Sequence, residues 1–155
     1  MSEAQQPSFS IEKIYVKDLS LEVPSGPQTF MQPEQPQLEV QLTQQSQRVN
    51  DVLFEVTLVI TITAKRGDKT LFLVEVSQAG VFQIRNVPEA DLAPVLGMVC
   101  PNVLFPYARE TVSDIVNRAG FPPVLLAPVN FEALYQQRSA QAAAQPASPR
   151  IEIAH

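Results

Sequence analysis

The 155-residue sequence predicts an α+β fold: a four-stranded antiparallel sheet followed by helices packed on one of its faces. Three observations carry this. Alternation of apolar and polar residues with period two recurs through the first half of the chain and is clearest from Val52 to Ala64. Arg66, Gly67 and Asp68 then supply turn chemistry before a second apolar run, which makes the pair a long hairpin. From Pro88 onward the apolar spacing becomes helical, so strands and helices are segregated along the chain.

The first eight residues are polar and are expected to be disordered; the folded domain is expected over residues 9–144, with 145–155 a flexible tail. Phe9, Ile11, Tyr15, Leu19, Leu21 and Val23 outline the first strand, but Lys13 and Lys17 interrupt the alternation. That imperfect pattern suggests a strand partly buried on both faces, as at a subunit interface. Prolines at 24, 27, 33 and 36 make the next stretch a loop with no room for a helix; its large apolar residues are Phe30 and Met31. These either tuck over the core or line a groove. A second strand carries Leu38, Val40 and Leu42 on one side, with Glu39, Gln41 and Thr43 on the other. The third runs from Val52 to Ala64, about 13 residues or on the order of 40 Å. The fourth, from Thr70 to Ile84, is apolar on both faces near Leu71 to Val76, so neither face is wholly wet.

A short helix is expected from Pro88 to Met98, kinked at Pro94. Pro101 and Pro106 lack N–H groups and restrict their predecessors, so the stretch Cys100 to Glu110 reads as a rigid connector within which a helix starts at Pro106, stopping at Gly120. Phe121, Pro122 and Pro123 form an extended link. Asn130 caps a last helix from Phe131 to about Ala143, with Leu134 and Tyr135 among its apolar residues.

The chain is 45% apolar and 17% charged, slightly poor in charge, which points to surface buried against copies of itself. A net charge of −5 argues against nucleic acid as a partner, because phosphate affinity needs clustered Lys and Arg. Without a long apolar run or a signal-peptide pattern, no membrane insertion is expected and the location is read as cytoplasmic. The single histidine is His155 and the single cysteine is Cys100, too few for a catalytic Ser-His-Asp or Cys-His set or a zinc site in one chain. Neither GxxxxGK[ST] nor GxGxxG occurs, so no cofactor and no enzyme activity are expected. Cys100 reads as a buried apolar side chain.

Four segments resemble the SecB export-chaperone family of bacteria in order and spacing: IYVKDLSLEVP (Ile14 to Pro24), FLVEVSQAGVF (Phe72 to Phe82), CPNVLFPYARE (Cys100 to Glu110) and LAPVNFEALY (Leu126 to Tyr135). The resemblance implies an ATP-independent holdase, a homotetramer built as a dimer of dimers, that keeps unfolded precursor polypeptides translocation-competent in apolar grooves and delivers them to the SecA ATPase. It implies a SecA-binding patch at Asp18, Glu22, Leu73 and Glu75, and oligomer-interface positions at Val74, Val76 and Gln78. The substrate groove is assigned to Phe30, Met31, Val40, Leu42, Phe105, Phe131, Leu134 and Tyr135. The chain departs from the family pattern at Glu34, where relatives often carry tryptophan, in its proline-rich loop and in its tail, PASPRIEIAH. Some members serve antitoxins as specialised clients. A reading of another class is an oligomeric scaffold or small-ligand binding protein, which predicts a saturable small-molecule site and no affinity for unfolded chains.

Overall fold

The computed structural model describes residues 6–32 and 35–144. Expectations that fall on residues 1–5, on Pro33 and Glu34, and on the tail 145–155 with His155 lie outside the described residues. Four strands, β1 (Ser8–Glu22), β2 (Gln37–Arg48), β3 (Leu53–Arg66) and β4 (Lys69–Arg85), form one antiparallel sheet in the order β1-β4-β3-β2. Gly67, at φ +61°, lets β3 turn directly into β4.

Two bulges resolve the broken alternation of β1. Ile11 pairs with Phe82 and Lys13 with Val81, so Glu12 is an extra residue; Val16 pairs with Gln78 and Asp18 with Ser77, so Lys17 is another. Each insertion resets the parity of the strand. Phe9, Ile11, Ile14, Val16, Leu19 and Leu21 therefore share one face, and Lys13, Tyr15, Asp18, Ser20 and Glu22 the other. The interruption at the two lysines is thus a register device rather than the sign of a strand buried on both sides.

The first of those faces is the core. On β3 it carries Phe54, Val56, Leu58, Ile60, Ile62 and Ala64, and on β4 Phe72, Val74, Val76, Phe82 and Ile84, all buried. Helix α1 (Glu89–Pro94), a π-helical turn (Val95–Val99), helix α2 (Cys100–Arg118) and helix α3 (Phe131–Ala144) follow in sequence. Helix α2 comes so close to the sheet that a Cβ on Gly80 would lie 3.0 Å from Leu104 Cδ2. Only a residue without a side chain fits that crossing.

The expected connector is corrected: α2 begins at Cys100 and passes straight through Pro106. A proline inside a helix costs about 3 kcal/mol. That cost is outweighed by the stripe Leu104, Phe105, Ala108, Val112 and Val116, buried against the sheet, since each large apolar side chain contributes roughly 1.5–3 kcal/mol. The π-helical turn lies between Pro94 and Pro101, whose missing N–H groups disturb the regular hydrogen-bond ladder there. Gly120, at φ +92°, stops α2 as expected: its N–H donates to Asn117 O and that of Phe121 donates to Val116 O.

A second correction concerns the loop after β1, which holds a one-turn 3₁₀ helix at Gln28–Met31. Pro27 precedes this turn instead of breaking it, and its carbonyl accepts from Phe30 N–H at 3.1 Å. Asn130 caps α3 as read from sequence, its Oδ1 accepting from Ala133 N–H at 2.9 Å.

Candidate functional site

The face of the sheet away from the helices gathers Asp18 and Glu22 from β1 with Leu73 and Glu75 from β4. Glu22 stands directly opposite Leu73, and Glu75 opposite Ser20. Asp18 and Glu22 are exposed, Leu73 and Glu75 half-buried. Thr61 on β3 donates its hydroxyl to Glu75 Oε2 at 3.2 Å, which orients that carboxylate beside its neighbours.

Further along this face the charge is neutralised. Tyr15 reaches across β4 to donate to the Glu55 carboxylate, and Lys17 Nζ lies 2.7 Å from Glu55 Oε1. Lys17 and Tyr15 together hold the Glu55 carboxyl below the usual range. Burial, reinforced by Glu55, pushes the Tyr15 hydroxyl up to about 12. One end of the open face is therefore acidic and the other balanced.

Val74, Val76 and Gln78, assigned to an oligomer interface, alternate with the patch residues and so point to the helix side. Their exposures are 0, 0 and 3%, so within the chain these side chains are part of the core, and any role in assembly would act through the packing beneath the helices. Gln78 ties the edge strand to the helix: its Nε2 donates to Tyr15 O at 3.2 Å, and Thr111 Oγ1 donates to its Oε1 at 3.3 Å.

The groove residues divide. Phe105 and Phe131 are buried and meet edge to face with centroids 5.9 Å apart, so they belong to the core. Leu134 packs against the same cluster and Tyr135 against Gly97. Both are half-buried, and their covered parts dock α3. Leu42 is half-buried against the core, whereas Val40, on the same side of β2 but further from the helical contact at Gln44, is 49% exposed.

Apolar surface remains open beside β2. Leu38 and Phe72 form the floor of a cleft whose wall is the extended segment after α2, Phe121 to Leu125, and whose far side is Gln35 and Pro36. Phe30 meets Phe121 with ring centroids 5.1 Å apart, and Phe121 meets Phe72 at 4.7 Å, both pairs tilted, a series of aromatic contacts from surface to core. Phe30 thus packs on a residue of the cleft wall without lining the cleft itself, and Met31 beside it and Leu125 in the wall are each 80% exposed. The sequence reading overlooked Leu38, Phe121, Val124 and Leu125 as site residues. Their signal was an apolar cluster, FPPVLL, on a segment whose prolines forbid it to fold inward as a helix.

Residues 2–142 match the family model described as "Preprotein translocase subunit SecB". The chain belongs to the SecB family. It is 66% identical to the protein-export protein SecB of Chromobacterium violaceum over 145 residues, covering 92% of this chain and 97% of the relative. Identity to the protein-export protein SecB of Nitrosospira multiformis is 57% over 152 residues, 97% of this chain and 96% of that one. Among solved structures it resembles the SecB-like chaperone of Mycobacterium tuberculosis in complex with an antitoxin peptide. That likeness has a TM-score of 0.65 at 18% identity, covers 78% of this chain and 90% of the other, and speaks for the fold. Family membership makes the chain a chaperone of protein export, not an enzyme. No helix among the described residues is long and apolar enough to cross a membrane.

Proposed function

We propose that this SecB-family chain is an ATP-independent holdase, acting in the cytoplasm, that keeps unfolded precursor polypeptides translocation-competent along the cleft beside β2. The observation that carries the reading is the juxtaposition of open apolar surface, Leu38, Val40 and Leu125, with an edge strand whose outer backbone groups have no strand partner among the described residues. An extended chain laid beside β2 gains main-chain hydrogen bonds whatever its sequence, and alternate side chains drop onto the apolar floor. Binding of the unfolded form alone delays folding by mass action, and no nucleotide is required.

The acidic end of the open face is the surface that receives a basic partner, which the family resemblance makes SecA. Asp18, Glu22 and Glu75 steer a cationic segment, and half-buried Leu73 gives it an apolar anchor. Two contact surfaces on opposite faces let client and SecA be held together.

The chain works as a dimer of dimers. Supporting this, Phe9, Ile11, Val16 and Leu19, all on the helix side of edge strand β1, are 39–47% exposed, and Tyr107 on α2 is 48% exposed. A monomer would leave this apolar band in water.

The decisive experiment adds the purified protein to a chemically unfolded, slow-refolding polypeptide while light scattering reads the mass. A tetramer that holds the unfolded chain and ignores the folded one is the expected outcome. A folded oligomer without that preference would return the reading to a scaffold or small-ligand binder.

A further inference from the structure

The far side of the cleft, Gln35 and Pro36, closes the loop between β1 and β2, and one side chain from elsewhere in the fold holds that loop. Arg66, the last residue of β3, donates from Nη1 to Gln32 Oε1 and from Nη2 to Gln32 O, both at 3.2 Å. Gln32 is the residue at which the 3₁₀ turn Gln28–Met31 gives way to extended backbone. At the other end of the same loop, Ser25 Oγ donates to Thr70 O at 3.5 Å. The loop is thus tied at two points to the β3–β4 hairpin, and between the ties stand Phe30 and Met31. The guanidinium fork matters, because two donors held in one plane fix both the direction and the position of Gln32, which a single ammonium cannot do.

We infer that Arg66 is a positioning residue for client capture. It touches no client; through Gln32 it holds the 3₁₀ turn against the end of α2, with the Phe30 ring against Phe121 of the cleft wall. Where the turn is free to leave Phe121, only a fraction of molecules present a complete wall, and apparent affinity falls by that fraction. This inference rests on the cleft beside β2 being the client site.

The test uses full-length protein and a reduced, carboxymethylated polypeptide that cannot refold. Arg66→Ala is expected to weaken binding roughly threefold to tenfold. It is also expected to speed hydrogen exchange at the Thr29 and Phe30 amides, which bond to Ser25 O and Pro27 O, while the melting temperature and mass stay unchanged. Gln32→Ala should act in the same direction but by less, since Arg66 makes a further interaction besides those to Gln32. Arg66→Lys, with one donor group and no fork, should restore affinity only in part. Leu125→Ser serves as the control. If it weakens the client and Arg66→Ala does not, the positioning role is overturned and the cleft stands. If neither does, the cleft itself is wrong.

Discussion

Tyr135 lies against Gly97 so closely that a methyl group placed on the glycine would come within 2.6 Å of the tyrosine ring at Cδ2. The contact joins α3 to the π-helical turn, and Gln44 of β2 donates to the carbonyl of the same glycine at 3.1 Å. Gly97→Ala should therefore lift α3. Overpacking costs about 1–3 kcal/mol, against which the better helix propensity of alanine returns at most about 1 kcal/mol. A lower melting temperature, with faster hydrogen exchange concentrated in α3, is the expected result. A more stable variant would mean that Tyr135 swings aside without loss.

The Tyr15–Glu55–Lys17 cluster makes stability depend on pH at both ends of the scale. Glu55 is held low first by Lys17 and then by Tyr15, so its contribution is present above the ordinary carboxylate range and is lost as pH falls through the lowered value. Tyr15 is pushed from 10.0 to about 12, chiefly by burial. A raised value in the folded state means a contribution that is complete below pH 10 and is lost as pH rises towards 12. Denaturant unfolding across that alkaline window should show a steeper fall for the native protein than for Tyr15→Phe. Parallel slopes would count against the cluster.

Much of the architecture was legible because its signals are local. Alternation from Val52 to Ala64 needs no neighbour to be read, and neither does the glycine that ends α2. The bulges in β1 are visible in the sequence only as misplaced lysines, since an inserted residue has meaning only against a partner strand. Pro106 misled for a related reason: its local cost is real, but it is outweighed by Leu104, Ala108, Val112 and Val116, whose burial depends on the distant sheet. At the site, the grouping of Asp18, Glu22, Leu73 and Glu75 on one face follows strand parity. The division of apolar residues between core and cleft does not, because Phe131 and Leu125 are equally apolar and only packing separates them.

Reversing charge at Asp18, Glu22 and Glu75 to lysine should weaken the basic partner by roughly tenfold or more at low salt, with a smaller difference at high salt, while client affinity is unchanged. Titration of SecA and of an unfolded client against the same triple variant checks both halves. Equal loss of both would remove the patch from the partner's site.

Burial makes Cys100 inert: the side chain is fully covered and its thiol is pushed up to about 12. A thiol reagent at neutral pH should leave the native protein unmodified over the time in which the unfolded chain reacts completely. Rapid native labelling would mean that the start of α2 opens readily, which its packing under the π-helical turn argues against.

Two apolar substitutions separate binding from folding. Leu125 is 80% exposed in the cleft wall, so Leu125→Ser should change stability by no more than about 0.5 kcal/mol. If the cleft beside β2 is the client site, affinity for an unfolded chain should fall roughly threefold to tenfold. Phe131→Ala does the opposite. Phe131 is 4% exposed against Phe105, and emptying such a site costs about 3–5 kcal/mol. Any loss of client binding in Phe131→Ala should track the fraction unfolded and disappear at lower temperature, whereas the loss in Leu125→Ser should persist where both proteins are fully folded. If Phe131→Ala binds clients poorly while remaining fully folded, α3 contributes to the cleft after all, and the division between core and binding surface must be redrawn along that helix.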